Sequence, residues 1–304
     1  MAVVPGLVEV ASNAVLDVLV RDVRAVDEPA RDGWGANVQV LARPVDVALG
    51  GCGAAAAYVL GRLGQRVRLN TNLGGDAWGQ MLRGWLASAG VELRPTALAA
   101  SAVHLIQLSP EGRRRSYYYT GEKVVWSATL EGELPAWYLA AGYGKVDAED
   151  LRELEGVFAR LRQAGTMVVF DPGPWFKGRV ATADMRRVWG QVHTLVATEE
   201  ELRQWWPAAD AEVLAKELLD LGPAQVVVKR GPEGAVCGEA DGGVWRLPTT
   251  PVAGANTVGA GDTFNGRLVA GLCRGEELRA ATGAALQLAT QAVRRGRGVL
   301  GALD

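Results

Sequence analysis

Short runs of β-branched and other apolar residues alternate with longer stretches of helical periodicity along most of this chain, and that alternation constrains its fold most. The runs are Leu7–Val10, Val67–Leu69, Met167–Phe170, Thr194–Ala197 and Val226–Val228. Helix-patterned segments lie between and after them, at Ala54–Leu63, Trp78–Ala89, Asp150–Ala164, Glu199–Trp206, Ala211–Leu221 and Asp262–Cys273. Strands separated by helices predict an α/β fold with a mostly parallel central sheet covered by helices. Gly64, Gly90, Gly165 and Gly222 follow four of the segments, where a residue at ease in the left-handed conformation ends a helix.

Two regions break the rhythm. From about Asp17 to Val47, and from about Val103 to Tyr119, the pattern is β-rich: Val38–Val40 in the first, then His104–Leu108 and Ser116–Tyr119 across the turn Pro110-Glu-Gly112. We expect these regions to form one small sheet inserted into a single domain spanning residues 1–304, because no repeat or low-complexity linker divides the chain.

Charge and cysteine content narrow the partners. A formal net charge of -2 gives no global attraction to nucleic acid or to an anionic membrane, and leaves small anionic ligands open. The uncharged stretches, such as Val47–Gly61, fall short of the roughly 20 apolar residues that cross a bilayer. Cys52, Cys237 and Cys273 are odd in number and far apart, which fits neither a disulfide framework nor a zinc site. The N-terminal residues, broken by Pro5, Gly6 and Glu9, do not read as a secretion signal, so a cytoplasmic location is expected. P-loop NTPases, α/β-hydrolases and zincins are excluded by the absence of their motifs.

The segment Ala255–Gly266 is a Gly-rich turn running straight into a helix. Backbone N–H groups of Gly259, Ala260 and Gly261 can converge on an anion there, aided by the partial positive charge of the helix N-terminus. Asp262 beside such a site repels an anion unless it has a task, and accepting the proton of an attacking hydroxyl is one. The other reading is a first-turn Asp favoured by the helix dipole. A second Gly-rich segment, Gly50–Gly64, opens an Ala-rich helix; its glycines permit either close approach of a ligand or tight packing of helix on sheet. It also matches a loose dinucleotide fingerprint with Asp76 as a distant acidic partner, which keeps a dehydrogenase in view.

Together these two segments resemble the paired signatures of the ribokinase family, the PfkB carbohydrate kinases. Further similarities run along essentially the whole chain: Asn13–Asp17, Gly74–Gly79 followed by Ala89–Val91, the turn Glu111–Arg113, and Val228–Gly234. The resemblance implies a three-layer ribokinase-like sandwich with a β-sheet lid, transferring the γ-phosphate of MgATP to a hydroxyl of a small carbohydrate. It implies Asp262 as catalytic base and Gly259, Ala260 and Gly261 as anion hole. Asp17 and Asn13, with Gly50 and Gly51, would meet the acceptor. Arg230, Gly231, Gly234 and Thr257 would meet the nucleotide, and Glu201 the Mg²⁺.

Three positions depart from the family pattern. Asn256 stands where many members carry an Asp near a monovalent cation, which weakens any potassium dependence. Thr198 replaces an Asn, although Thr198 and Glu201 also read as a capping box. Ala55 replaces the Asn that serves ribose, so ribose itself is disfavoured. Arg113-Arg-Arg115 on the lid turn reads either as a receiver of an oxyanion or as a solvated turn. His104 and His193 read as sheet histidines, and Trp34 and Trp126, near the lid, take no role. A nucleoside kinase is the nearest alternative, and an idle sugar- and nucleotide-binding sensor the alternative of another class. A lid sheet leaves an edge that a homodimer through the lid would cover.

Overall fold

The computed structural model describes residues 3–24, 38–94, 100–207, 210–252 and 257–303. Its large sheet has nine strands: β1 (Val3–Ala11), β4 (Arg66–Asn70), β5 (Glu92–Leu93), β8 (Leu134–Ala141), β9 (Met167–Asp171), β10 (Thr194–Thr198), β11 (Gln225–Lys229), β12 (Ala235–Glu239) and β13 (Val244–Leu247). They lie in the order β13-β12-β11-β10-β9-β8-β1-β4-β5. All pairs from β11 to β5 are parallel, and β12 and β13 add an antiparallel edge.

The two faces of this sheet are read directly in the strands. Leu139, Val169, Val196 and Val227 pack on one face, while Tyr138, Ala140, Val168, Phe170, Leu195, Ala197, Val226 and Val228 pack on the other. Strands apolar on both sides must be covered on both sides. On the first face lie α1 (Cys52–Arg62), α2 (Ala77–Ser88), α7 (Ala260–Cys273) and α8 (Leu278–Arg295). On the second lie α3 (Ala148–Gln163), α4 (Thr182–Trp189), α5 (Glu199–Arg203) and α6 (Ala211–Leu219). Gly64, Gly90, Gly165 and Gly222 all have positive φ after α1, α2, α3 and α6, as expected.

A second sheet of four strands, in the order β3-β2-β6-β7, contains β2 (Val15–Val20), β3 (Asp46–Gly50), β6 (Ala102–Leu108) and β7 (Arg114–Tyr119). Its hairpin turns where Pro110 and Gly112 predict, with Gly112 N donating to Ser109 O at 2.9 Å. The first β-rich region differs from expectation. Val38–Val40 is irregular rather than a strand, and the Gln39 amide bonds the backbone of Asp22 and Arg24 instead. The pairing strands sit at the ends of that region, and β3 runs on to Gly50 because its last residue pairs with Val15. Trp34 and residues 25–37 lie outside the described residues.

Candidate active site

Parallel α/β sheets bind ligands at the carboxyl ends of their strands, and this chain places its polar residues there. Asn13 follows β1, Tyr143 follows β8, Asp171 ends β9, Thr198 ends β10 and Lys229 ends β11. Helix α7 points its N-terminus at the same edge. Its cap, Gly259, is left-handed with φ 80°, which leaves the amides of the first turn facing outward. The Thr263 hydroxyl and amide both donate to Gly259 O, at 2.8 and 2.9 Å, locking that turn.

Asp262 occupies the first turn of α7, half-buried. Desolvation by the surrounding protein raises its pKa from 3.8 to about 6; the Cys52 thiol bonded to it and the Lys229 ammonium oppose the rise, while the charges of Asp171 and Asp17 add to it. Cys52 opens α1 and is pushed well above the ordinary thiol range, first by burial and then by Asp262 and Asp171. The thiol therefore keeps its proton and serves as a donor to the carboxylate.

Beneath this pair lies a buried ion cluster. Lys229 Nζ donates to Asp171 Oδ2 at 2.9 Å and to Asn265 Oδ1 at 3.2 Å, and Asn265 Nδ2 donates to Asp171 Oδ2 at 2.7 Å. Asn265 stands three residues after Asp262, so the cluster fixes the rotation of α7 and with it the direction of Asp262. The local sequence supports this placement: apolar runs carry each polar residue to a strand end. Lys229, Asp171 and Asn265 were not among the residues expected from sequence; the signal was a polar residue closing an apolar run, at Phe170-Asp171 and Val228-Lys229.

A cleft of about 390 Å³ opens beside α7. It is lined by Gly231, Gly234, Thr257, Ala260, Gly261 and Phe264 among others, which brings together three of the four expected nucleotide-contacting residues. Arg230 is not on its wall. It faces a neighbouring cleft of about 710 Å³ and pairs with Glu199 at 2.9 Å and Glu233 at 2.5 Å. Glu201 is buried; Thr198 N donates to its Oε2 at 2.8 Å and Tyr143 OH to its Oε1 at 2.5 Å. With the Thr198 hydroxyl accepting from Glu201 N at 3.1 Å, the capping box is present. No cluster of three acidic, His or Cys residues suited to a metal occurs among the described residues.

The acceptor candidates gather between the two sheets. The Asp17 carboxylate lies against Gly50, where a Cβ would fall 2.2 Å from Oδ2, so the missing side chain makes room for the carboxylate itself. At Gly51 a Cβ would fall 2.7 Å from Asn13 O, so its bareness serves the turn onto α1. Asn13 Oδ1 accepts from Cys52 N at 3.1 Å, and Asn13 Nδ2 donates to Tyr118 OH at 2.8 Å. His104 is the sheet histidine expected, on β6, and it also has a partner: its Nδ1 lies 3.2 Å from Asp17 Oδ1. Only strand pairing, invisible in a local pattern, brings the two together.

The remaining candidates lie away from these clefts or outside the described residues, except that Arg113, Arg114 and Arg115 stay open to solvent on the hairpin of the small sheet. His193 contacts Thr194 Oγ1 at 2.9 Å and stacks edge-on with Trp137. Trp126 is buried and donates to Asp150. Arg113, Arg114 and Arg115 are exposed, with Arg114 bonded to Ser116. Asp76 caps α2, accepting from Gly79 N, Ser101 N and Ser101 Oγ, so it is not the acidic residue of a dinucleotide site. Asn256 lies outside the described residues.

The comparisons with known proteins agree with this geometry. The profile of the pfkB family carbohydrate kinases matches residues 10–301. The chain is 27% identical over 285 residues to an uncharacterized sugar kinase, YegV, of Escherichia coli, covering 88% of this chain and 82% of the relative. It is 29% identical over 239 residues to the aminoimidazole riboside kinase of Salmonella typhimurium, covering 74% of each. A crystal structure of a putative ribokinase II of E. coli with ATP and Mg²⁺ superposes with a TM-score of 0.75 at 17% identity, covering 99% of this chain and 96% of that one, and shows the common fold. The fold and site together define a phosphotransferase that acts on a hydroxyl group. The chain belongs to the pfkB family of carbohydrate kinases.

Proposed function

We propose that this protein transfers the γ-phosphate of MgATP to a hydroxyl of a small carbohydrate held between the two sheets, with Asp262 as general base. The observation that carries this is the position of Asp262: at the N-terminus of α7, between the cleft lined by Gly261 and the Asp17 carboxylate, with a pKa near 6. At neutral pH such a carboxylate is ionised yet basic enough to take a proton. The acceptor oxygen bonds to the γ-phosphorus as the bond to the bridging β,γ-oxygen breaks; ADP leaves, and the hydroxyl proton passes to Asp262. The amides of Gly259, Ala260 and Gly261 stabilise the charge on the group in transfer.

The residues present fit a nucleotide and Mg²⁺. The cleft beside α7 pairs an apolar wall of Phe264, Leu286 and Val293 for a base with a helix N-terminus for phosphate. Both oxygens of Glu201 are already bonded, which suits an ion that keeps most of its water shell and is held chiefly by phosphates. Mg²⁺, when bound, supplies charge neutralisation; Glu201 would hold it through water. A nucleoside acceptor is the second reading, favoured by Tyr118, whose ring meets Trp175 edge-on at 5.6 Å beside Asn13. The free thiols fit a cytoplasmic enzyme. The outer face of the small sheet, with Val47, Tyr117 and Tyr119 exposed, fits a homodimer through the lid.

The test is ADP release from MgATP across sugars, sugar acids, sugar phosphates and nucleosides, with and without potassium. One responsive acceptor is expected, with kcat lowered about 10²- to 10⁴-fold in Asp262→Asn. Full turnover in that variant removes Asp262 as base, and silence across the panel with ATP bound favours the idle sensor.

A further inference from the structure

The register of the small sheet puts Ala48, Asp17, His104 and Tyr118 side by side in one rung across its four strands. Residues directly opposite one another share a face, so the rung presents its side chains together. That face looks toward the large sheet, because Tyr118 accepts from Asn13 and meets Trp175. Within the rung the Asp17 carboxylate is boxed. Gly50 closes one side, with a Cβ position 2.2 Å from Oδ2, and His104 Nδ1 closes the other at 3.2 Å from Oδ1. Nδ1 and Oδ1 lie at ion-pair distance, and because a carboxylate only accepts, the contact is attractive only with the hydrogen on Nδ1. The Tyr118 ring, 5.4 Å from the imidazole and tilted by 52°, supports the imidazole from the next strand.

We propose that His104 is a positioning residue for the acceptor: by engaging Asp17 Oδ1 it turns the carboxylate so that Oδ2, lying over Gly50, meets an acceptor hydroxyl. The inference rests on the acceptor role proposed for Asp17. It assigns one oxygen of the pair to the protein and one to the ligand, so the ligand class is a polyol that donates a hydroxyl at this point, and an acceptor lacking that hydroxyl loses the contact.

Two readouts test it. On the acceptor that responds, His104→Leu is expected to raise the acceptor KM about tenfold while leaving the ATP KM within about twofold, and His104→Asn, whose amide nitrogen can replace Nδ1, to recover most of the loss. Equal defects in Leu and Asn variants, or a fall in kcat alone, overturn the proposal. The second readout needs no turnover. At about pH 8, two-bond ¹⁵N–¹H spectra distinguish histidine tautomers. With only His104 and His193 in the chain, assignment is direct. His104 is expected as the Nδ1–H form in wild type and the Nε2–H form in Asp17→Leu. An Nε2–H form in wild type overturns the proposal. If no acceptor is phosphorylated, the kinase reading fails by itself, and the tautomer still decides whether His104 holds Asp17.

Discussion

Replacing Asp262 by Asn should lower kcat about 10²- to 10⁴-fold and at the same time stabilise the protein. In the fold this carboxyl titrates near 6 instead of 3.8, with desolvation as the main cause. Between those values the folded protein holds a proton that the unfolded chain has released, so stability falls as pH rises through that window. Above about pH 6 the full penalty applies, on the order of 1–3 kcal/mol, the lower figure allowing for solvent reaching a half-buried side chain. An uncharged Asn removes it. For a chain of 304 residues, unfolding entropy of roughly 2.1 cal/mol/K per residue converts this into a Tm gain of about 2–5 °C near pH 7.5. Near pH 4.5 the gain should shrink to about a third, because the wild-type carboxyl is then protonated in the fold. Scanning calorimetry at the two pH values reads both numbers. No gain near neutrality, or a gain independent of pH, would refute the idea that Asp262 is held in an environment that opposes its charge.

Four further outcomes follow from named contacts. The kcat/KM for the acceptor should fall tenfold per pH unit below about pH 6 as Asp262 takes up a proton, measured as a pH–rate profile. Gly50→Ala places a methyl group 2.2 Å from Asp17 Oδ2 and should raise the acceptor KM about tenfold without changing the ATP KM; unchanged acceptor kinetics would separate Asp17 from the acceptor. Lys229→Met leaves Asp171 buried without its cation and should cost about 3–5 kcal/mol in a urea melt. Thr198→Ala removes the cap of α5 and should cost about 1 kcal/mol, with Thr198→Ser restoring it.

The large sheet and its two helical layers were legible because their signal is local: each apolar run alternates between two buried faces, and α1, α2, α3 and α6 are each followed by a glycine with positive φ. Elements without contrast escaped notice. Strand β8 carries Pro135 and three alanines, and α8 is built largely of Ala, Thr, Gln and Leu. In the candidate site, the Gly-rich turn with Asp262 was legible locally, and Asp17 through the resemblance of Asn13–Asp17 to the family's N-terminal strand. Tyr143, Asp171, His104 and Tyr118 were not, because each acquires its meaning from a partner on another strand or loop. Arg230, assigned through the resemblance of Val228–Gly234, has ion pairs with Glu199 and Glu233 that no local pattern announces and that set it on the adjoining wall.

The central claim is that the acceptor hydroxyl receives the γ-phosphate. ³¹P NMR of a reaction containing MgATP and the responsive acceptor follows every phosphorus at once. The account predicts ADP and one new phosphomonoester appearing in equal amounts, both about 10²- to 10⁴-fold more slowly in Asp262→Asn. Inorganic phosphate in place of the ester, or AMP with pyrophosphate, would contradict it.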